Sequence, residues 1–359
     1  MQRSLEPANL TSVQQFVLLG LSTRLSGRDT LFAVFLALYL LTLLENTLIV
    51  YLICTHGELR KPMYFFLGNL SGLEMCYVSV TMPTLLAGLW TGPFYVPFAA
   101  CMTQLFFFIS LICTECTLLA SMAYDRCVAI CRPLHYPLLM RPQVCLGLAT
   151  SSWLGGLVVS VAKTTCIASL TYCGPNILNQ FFCDVSPLLN LSCTHVALTE
   201  LVDFISAIVI FWGTTPACSC GPNILNQFFC DVSPLLNLSC THVALTELVD
   251  FISAIVIFWG TLLVALASYV AIAMAVLRMP SAAARHKAFS TCASHLAVVG
   301  IFYSAALFIY CRPSRIKSMD LNKVLSVVYT VVTPLCNPVI YCLRNREVHA
   351  ALRKALRWS

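Results

Sequence analysis

Long apolar runs separated by short polar segments set the pattern of this chain. Runs of membrane-spanning length lie at roughly 31–53, 62–86, 98–124, 144–164, 248–277, 288–311 and 321–343. At about 1.5 Å per helical residue, each can cross about 30 Å of hydrocarbon. The pattern predicts an all-α integral membrane protein, a seven-transmembrane helix bundle over residues 29–343. A polar tail, 1–28, precedes it, and a basic tail, 344–359, follows. In that last tail Val348, Leu352 and Leu356 recur every fourth residue with Arg and Lys between, which predicts a short amphipathic helix on a membrane surface.

Composition agrees. The 359 residues are 59% hydrophobic and only 10% charged, with a mean hydropathy of +0.84, more apolar surface than a water-soluble domain can bury. The net charge of +6 comes from basic residues in short loops and is not a nucleic-acid footprint. Thirteen of the 21 Lys and Arg fall in alternate segments: Arg60 and Lys61; Arg126, Arg132 and Arg141; Arg278, Arg285 and Lys287; and five from Arg344 onward. The bias predicts an extracellular N-terminus and a cytoplasmic C-terminus in the plasma membrane. The first residues hold no apolar signal-peptide core, and Asn9 opens a sequon. No phosphate loop, metal cluster or nucleophile motif stands out, so an enzyme is not expected.

Residues 122–137 read MAYDRCVAICRPLHYP. An acid and an arginine, Asp125 and Arg126, close a long apolar run, where charge is costly unless paired or wetted. The string closely resembles the MAYDRYVAICxPLxYP signature of olfactory receptors, within the rhodopsin-like G-protein-coupled receptors; Cys127 stands where Tyr is commonest. The further markers are PMYFFL at 62–67, SY at 268–269, KAFSTCASHL at 287–296 and PLCNPVIYCLRN at 334–345. FYS at 302–304 departs from the commoner FYG.

The resemblance implies an odorant receptor. A small, mainly apolar volatile ligand would bind in the outer half of the bundle, and the inner face would activate a stimulatory olfactory-type heterotrimeric G protein, raising cAMP. Asp125 would hold Arg126 at rest, and Tyr269 and Tyr341 match the tyrosines that close on this arginine. Cys101 would bond to a loop cysteine, Cys183 or Cys230, with a second loop bond joining Cys173 to Cys193 or Cys220 to Cys240. Spacing places Phe108, Ile109, Ile112, Cys113 and Cys116 on one helix face, with Ser253, Ala254 and Ile257, and Tyr303, Ala306 and Tyr310, on two others. By family analogy these faces line the ligand pocket, and for any single residue plain helix packing carries at least equal weight. No Lys, Arg or His lies on these faces, which argues against carboxylate ligands. Asn46, Glu74, Glu115 and Asn337 interrupt apolar runs, and the resemblance gathers them mid-bundle. Glu74 and Glu115 would share a proton or hold Na⁺, the shared network being preferred. No other cofactor is implied.

Residues 173–214 recur unchanged at 220–261, separated by TPACS, so the second outer loop, 165–247, is duplicated. Without one 47-residue unit the chain would be 312 residues long, an ordinary length for the resembling family. A recent duplication leaves a second possibility, a non-functional product. A transporter or channel, with half-molecule symmetry, fits the local identical repeat poorly. Only the second copy continues into a full helix. The first offers Leu201 to Thr214, interrupted by Asp203 and closed by Pro216, too short to span. That piece is therefore expected on the outer surface. Glycosylation of Asn237, read as a glycosidase-sensitive mobility shift, is the expected outcome; cytoplasmic exposure of 220–240 would refute it.

Overall fold

The computed structural model describes residues 14–21, 25–170, 172, 177–178, 180–185, 188, 254–279, 281–310, 326–343 and 346–357. Seven helical segments make up the bundle among these residues. They are α1 (Leu25–Thr55), α2 (Pro62–Thr91), α3 (Phe98–Cys131), α4 (Pro142–Ala168), α5 (Gly260–Leu277), α6 (Ala282–Tyr310) and α7 (Thr333–Leu343). A π turn leads into α5 (Ala254–Trp259) and another into α7 (Val328–Val332). A surface helix, α8 (Arg346–Arg357), follows. Among the described residues, five segments are long and apolar enough to cross a membrane: Gly27–Thr55, Pro62–Thr91, Phe98–Cys131, Pro142–Ala168 and Ile257–Leu277. The chain is thus a multi-pass membrane protein.

Several helices outrun their apolar cores. α1 starts six residues before its expected bound, α2 runs on to Thr91, α3 to Cys131 and α4 from Pro142 to Ala168. Hydropathy marks only the stretch immersed in lipid, whereas backbone hydrogen bonding continues into the polar zones. Pro62 and Pro142 each start a helix, where the missing N–H has no intrahelical partner to lose. The expected starts of the fifth and seventh helices, at 248 and 321, lie outside the described residues, as do the polar stretch 1–13 and most of the duplicated loop.

Outward-facing Leu44, Trp90, Val158 and Leu263 are more than half exposed, an apolar coat suited to lipid. Inward, α3 is the axial helix and carries the longest list of buried side chains, from Cys101 to Val128. α4 lies against it through small residues. Ser160 donates to the Phe106 carbonyl and Thr114 to the Ser110 and Ser152 carbonyls at 2.8 and 3.4 Å. Gly156 allows this approach: a Cβ there would stand 2.6 Å from the Ser110 carbonyl oxygen and 2.3 Å from Thr114 Oγ1.

One element goes beyond the all-α expectation. The segment β1 (Gln15–Leu18) pairs antiparallel with β2 (Phe94–Pro97) and parallel with β3 (Ile177–Leu178), lying between them. Phe16 and Leu18 are fully buried, and Phe16 meets Phe98 and Tyr172 at ring-centroid distances of 5.9 and 5.5 Å. The end of the expected polar tail is therefore a structural strand.

Gly156→Ala is expected to disturb α3–α4 packing by about 1–3 kcal/mol through overpacking and to lower surface delivery. Gly155→Ala, where a Cβ meets nothing within 4 Å, should leave delivery unchanged, both read by surface staining.

Candidate functional site

The sheet end of the bundle is closed by a lid. Cys183 is disulfide-bonded to Cys101 at the start of α3; Cys230, the alternative partner, lies outside the described residues. Gln104, one turn further along α3, fixes the lid from below. Its amide donates to the Val80 carbonyl at 2.8 Å and to Thr84 Oγ1 at 2.6 Å, and its Oε1 accepts from the Cys183 N–H at 3.0 Å. Gln180 donates to Ser326 Oγ at 2.9 Å, joining the lid to the stretch entering α7.

Phe181 and Phe182 then turn into the bundle and are completely buried. Phe182 meets Phe108 at 4.9 Å between ring centroids, and Phe108 meets Tyr77 of α2 at 5.6 Å. Phe108, Cys116 and Tyr303 share one apolar cluster with these rings, and Ile112 and Ile257 pack on it. Ile109 and Cys113 belong to a second cluster under the sheet, with Ile257 touching both. The expected α3 face is therefore divided between two groups. Tyr303 donates to Thr261 Oγ1 at 2.8 Å and packs on Phe258 at 5.5 Å. Ser253 lies outside the described residues; of Ala254, Ala306 and Tyr310 only the backbone is described. Face-counting, which follows one helix at a time, leaves out Tyr77, Gln104 and Phe258, whose roles come from partners on other elements, and Phe181 and Phe182, which lie on a loop that folds inward.

Mid-bundle, Asn337 Nδ2 donates to Glu74 Oε1 at 2.6 Å. Asn46 Nδ2 donates to the Thr42 carbonyl at 3.0 Å and to the Pro334 carbonyl at 3.5 Å. Glu115 is also buried and near enough to Glu74 to interact through charge. Among the described residues no three His, Cys, Asp or Glu side chains stand together at metal-ligand spacing. Glu45, an acid in the apolar run LLENTL, was overlooked by the sequence reading. Its Oε2 is buried without a hydrogen-bond partner and lies within electrostatic range of Glu74 and Cys336.

At the opposite end, the Asp125 carboxylate accepts from the Tyr136 hydroxyl at 2.8 Å. No ion pair joins Asp125 to Arg126 among the described residues; Arg126 acts on it as a nearby charge. Burial and the facing carboxylate push the Tyr136 phenol up. Tyr269 of α5 hydrogen-bonds and stacks on His295 of α6, with Arg126 in electrostatic reach of both. Tyr341 is described by its backbone only, within α7.

Sequence comparison adds a separate line of support. A family model described as olfactory receptor matches residues 35–211 and again 202–358. The chain is 68% identical over 359 residues to Olfactory receptor 6Z7 of Mus musculus, covering all of both chains. It is 47% identical over 350 residues to Olfactory receptor 6B1 of Homo sapiens, covering 98% and 97%, and 48% identical over 348 residues to Olfactory receptor 226 of Rattus norvegicus, covering 96% and 92%.

The lid carries a pH prediction. Burial pushes the Asp184 carboxyl up to about 6, against the opposing hydrogen bond from the Val185 N–H. A carboxyl whose folded value lies above the unfolded one, about 3.9, favours the folded lid most when protonated. Lid docking should therefore weaken as pH rises from about 4 through about 6. Amide protection over 181–185, taken relative to the intrinsic exchange rate at each pH, should fall across that window, and Asp184→Asn should flatten the fall.

Proposed function

We propose an odorant-receptor function from one premise: the chain belongs to the olfactory receptor family. Members of this family are receptors, and this chain is a multi-pass membrane protein of that kind. The ligand is a small, mainly apolar volatile molecule held beneath the lid, against Phe108, Ile112, Ile257 and Tyr303. A ligand of about ten heavy atoms, using a fraction of the ceiling of about 1.5 kcal/mol per atom, binds on the micromolar scale. It selects the active arrangement only by its differential affinity for that state.

The inner end of α3 engages a stimulatory olfactory-type heterotrimeric G protein, and cAMP rises. Arg126 is the cation that meets it, with Asp125, Tyr269 and Tyr341 setting when it is available. The observation that carries this reading is the joining of α5 and α6 by Tyr269 and His295 beside Arg126. A guanidinium there can reach carbonyls at the end of a docking helix, where the dipole is negative. Glu74 and Glu115 need a counter-charge in their dry setting, and a shared proton is preferred to Na⁺. Disulfides persist in an oxidising compartment, so the Cys101 end is extracellular. Seven spans then place α8 in the cytoplasm against membrane lipid.

The duplicated loop supports a second reading, a product that fails to signal. A cAMP assay over an odorant panel separates the two, run on this chain beside a version lacking 173–219, with surface staining of both. The expected outcome is a response in at least the shortened version, abolished by Arg126→Gln without loss of staining. Signalling that survives Arg126→Gln would sink the coupling assignment.

A further inference from the structure

A basic turn joins α1 to α2 and meets α8 at the end of the bundle away from the disulfide. The chain leaves α1 at Thr55, makes one short helical turn, Gly57–Leu59, and enters α2 at Pro62. Leu59 is buried and pins the turn, while Glu58, Arg60 and Lys61 stay exposed. α8 docks on the bundle through Val348 and Ala351, both buried. Its Lys354 Nζ lies 3.6 Å from Glu58 Oε1, and Arg353 beside it is exposed. Four cations from two elements therefore gather around one acid among the described side chains. An exposed ion pair contributes little, and the remaining like charges repel until an anion joins them. On the bundle side of this turn, Leu44, Leu48 and Tyr51 of α1 are exposed. They recur at i, i+4 and i+7, one outward face about 10 Å long, and exposed Thr55 carries that face to the turn.

We propose that Arg60, Lys61, Arg353 and Lys354 hold the headgroup of a multiply charged phospholipid of the polyphosphoinositide class, its chains lying along the exposed face of α1. A basic patch at the foot of an apolar face matches both halves of such a molecule. A singly charged headgroup answers one cation, whereas a headgroup with several phosphate groups answers the cluster. Basic clusters beside a membrane helix or on an amphipathic helix attract such lipids, by about fivefold in affinity per cation. Because the cations come from both elements, a bound headgroup ties α8 to the α1–α2 turn. The plain alternative is that these charges only orient the chain in the membrane, which predicts no preference among anionic lipids. The inference rests on α8 lying at the cytoplasmic bilayer surface and is independent of the odorant and G-protein assignments.

The test uses the full-length receptor in detergent micelles at low ionic strength, with bound lipid counted by native mass spectrometry. Phosphatidylinositol bisphosphate and phosphatidylserine are supplied at equal concentration, and the bisphosphate lipid is expected to bind at least about tenfold more tightly. The double variant Arg60→Gln/Arg353→Gln should lose about 25-fold of that binding, with an unchanged melting temperature in lipid-free micelles. Arg141→Gln, at an exposed arginine before α4 at the same end of the bundle, should bind as the native chain does. Glu58→Gln removes the acid and releases Lys354, so binding should tighten by up to about fivefold, a gain that a purely structural ion pair would not produce. Equal binding of the two lipids, unchanged binding in the double variant, an equal loss in Arg141→Gln, or weaker binding in Glu58→Gln overturns the site.

Discussion

A hydrogen bond between two buried side chains, Asn337 to Glu74, holds together parts of the sequence 263 residues apart. In lipid the apolar exterior gives helices little reason to associate, since the tails are as apolar as the side chains. What remains is close packing and polar contact in the interior. α7 is bound to α2 by this bond and to α1 through Asn46 and the Pro334 carbonyl, so the last helix closes on the first two. Losing one partner would leave a dehydrated polar group behind, which costs more than the bond itself contributes.

The same economy of polar groups runs along α3. Its sheet end is fixed by Cys101 and Gln104, its middle by the Gly156 approach of α4 with the Thr114 and Ser160 hydrogen bonds, and its opposite end by Asp125 with Tyr136. Each anchor involves a different partner element. The helix is thus held at three heights while its apolar faces contact the lid aromatics above and the Tyr269–His295 pair below. An event at one end has a rigid element to act through, because a helix restrained along its length shifts as a body rather than fraying.

The helices were legible because lipid imposes long apolar runs, a signal each segment carries alone. The buried polar residues Asn46, Glu74, Glu115 and Asn337 were legible for the converse reason, being out of place in those runs. Glu45 carried the same signal and was passed over beside Asn46. What the sequence hid depends on partners far away. Gln15–Leu18 is only four residues, and its strand character comes from Phe94–Pro97 and Ile177–Leu178. Tyr136 as the partner of Asp125, and Phe182 as the partner of Phe108, require chain reversals that periodicity does not encode. The identical copies hid still more, since nothing local in them tells which one lies over the bundle.

Placing β1 between two later strands has a consequence for synthesis. Residues 15–18 leave the ribosome before either neighbour exists, and β3 arrives only after four helices have been made. This early segment therefore waits until residue 97 for its first partner and until residue 178, about half of the chain, for its second. Two fully apolar side chains, Phe16 and Leu18, wait during that interval, so biogenesis of this protein has a built-in window in which a chaperone in the receiving compartment would have something to hold.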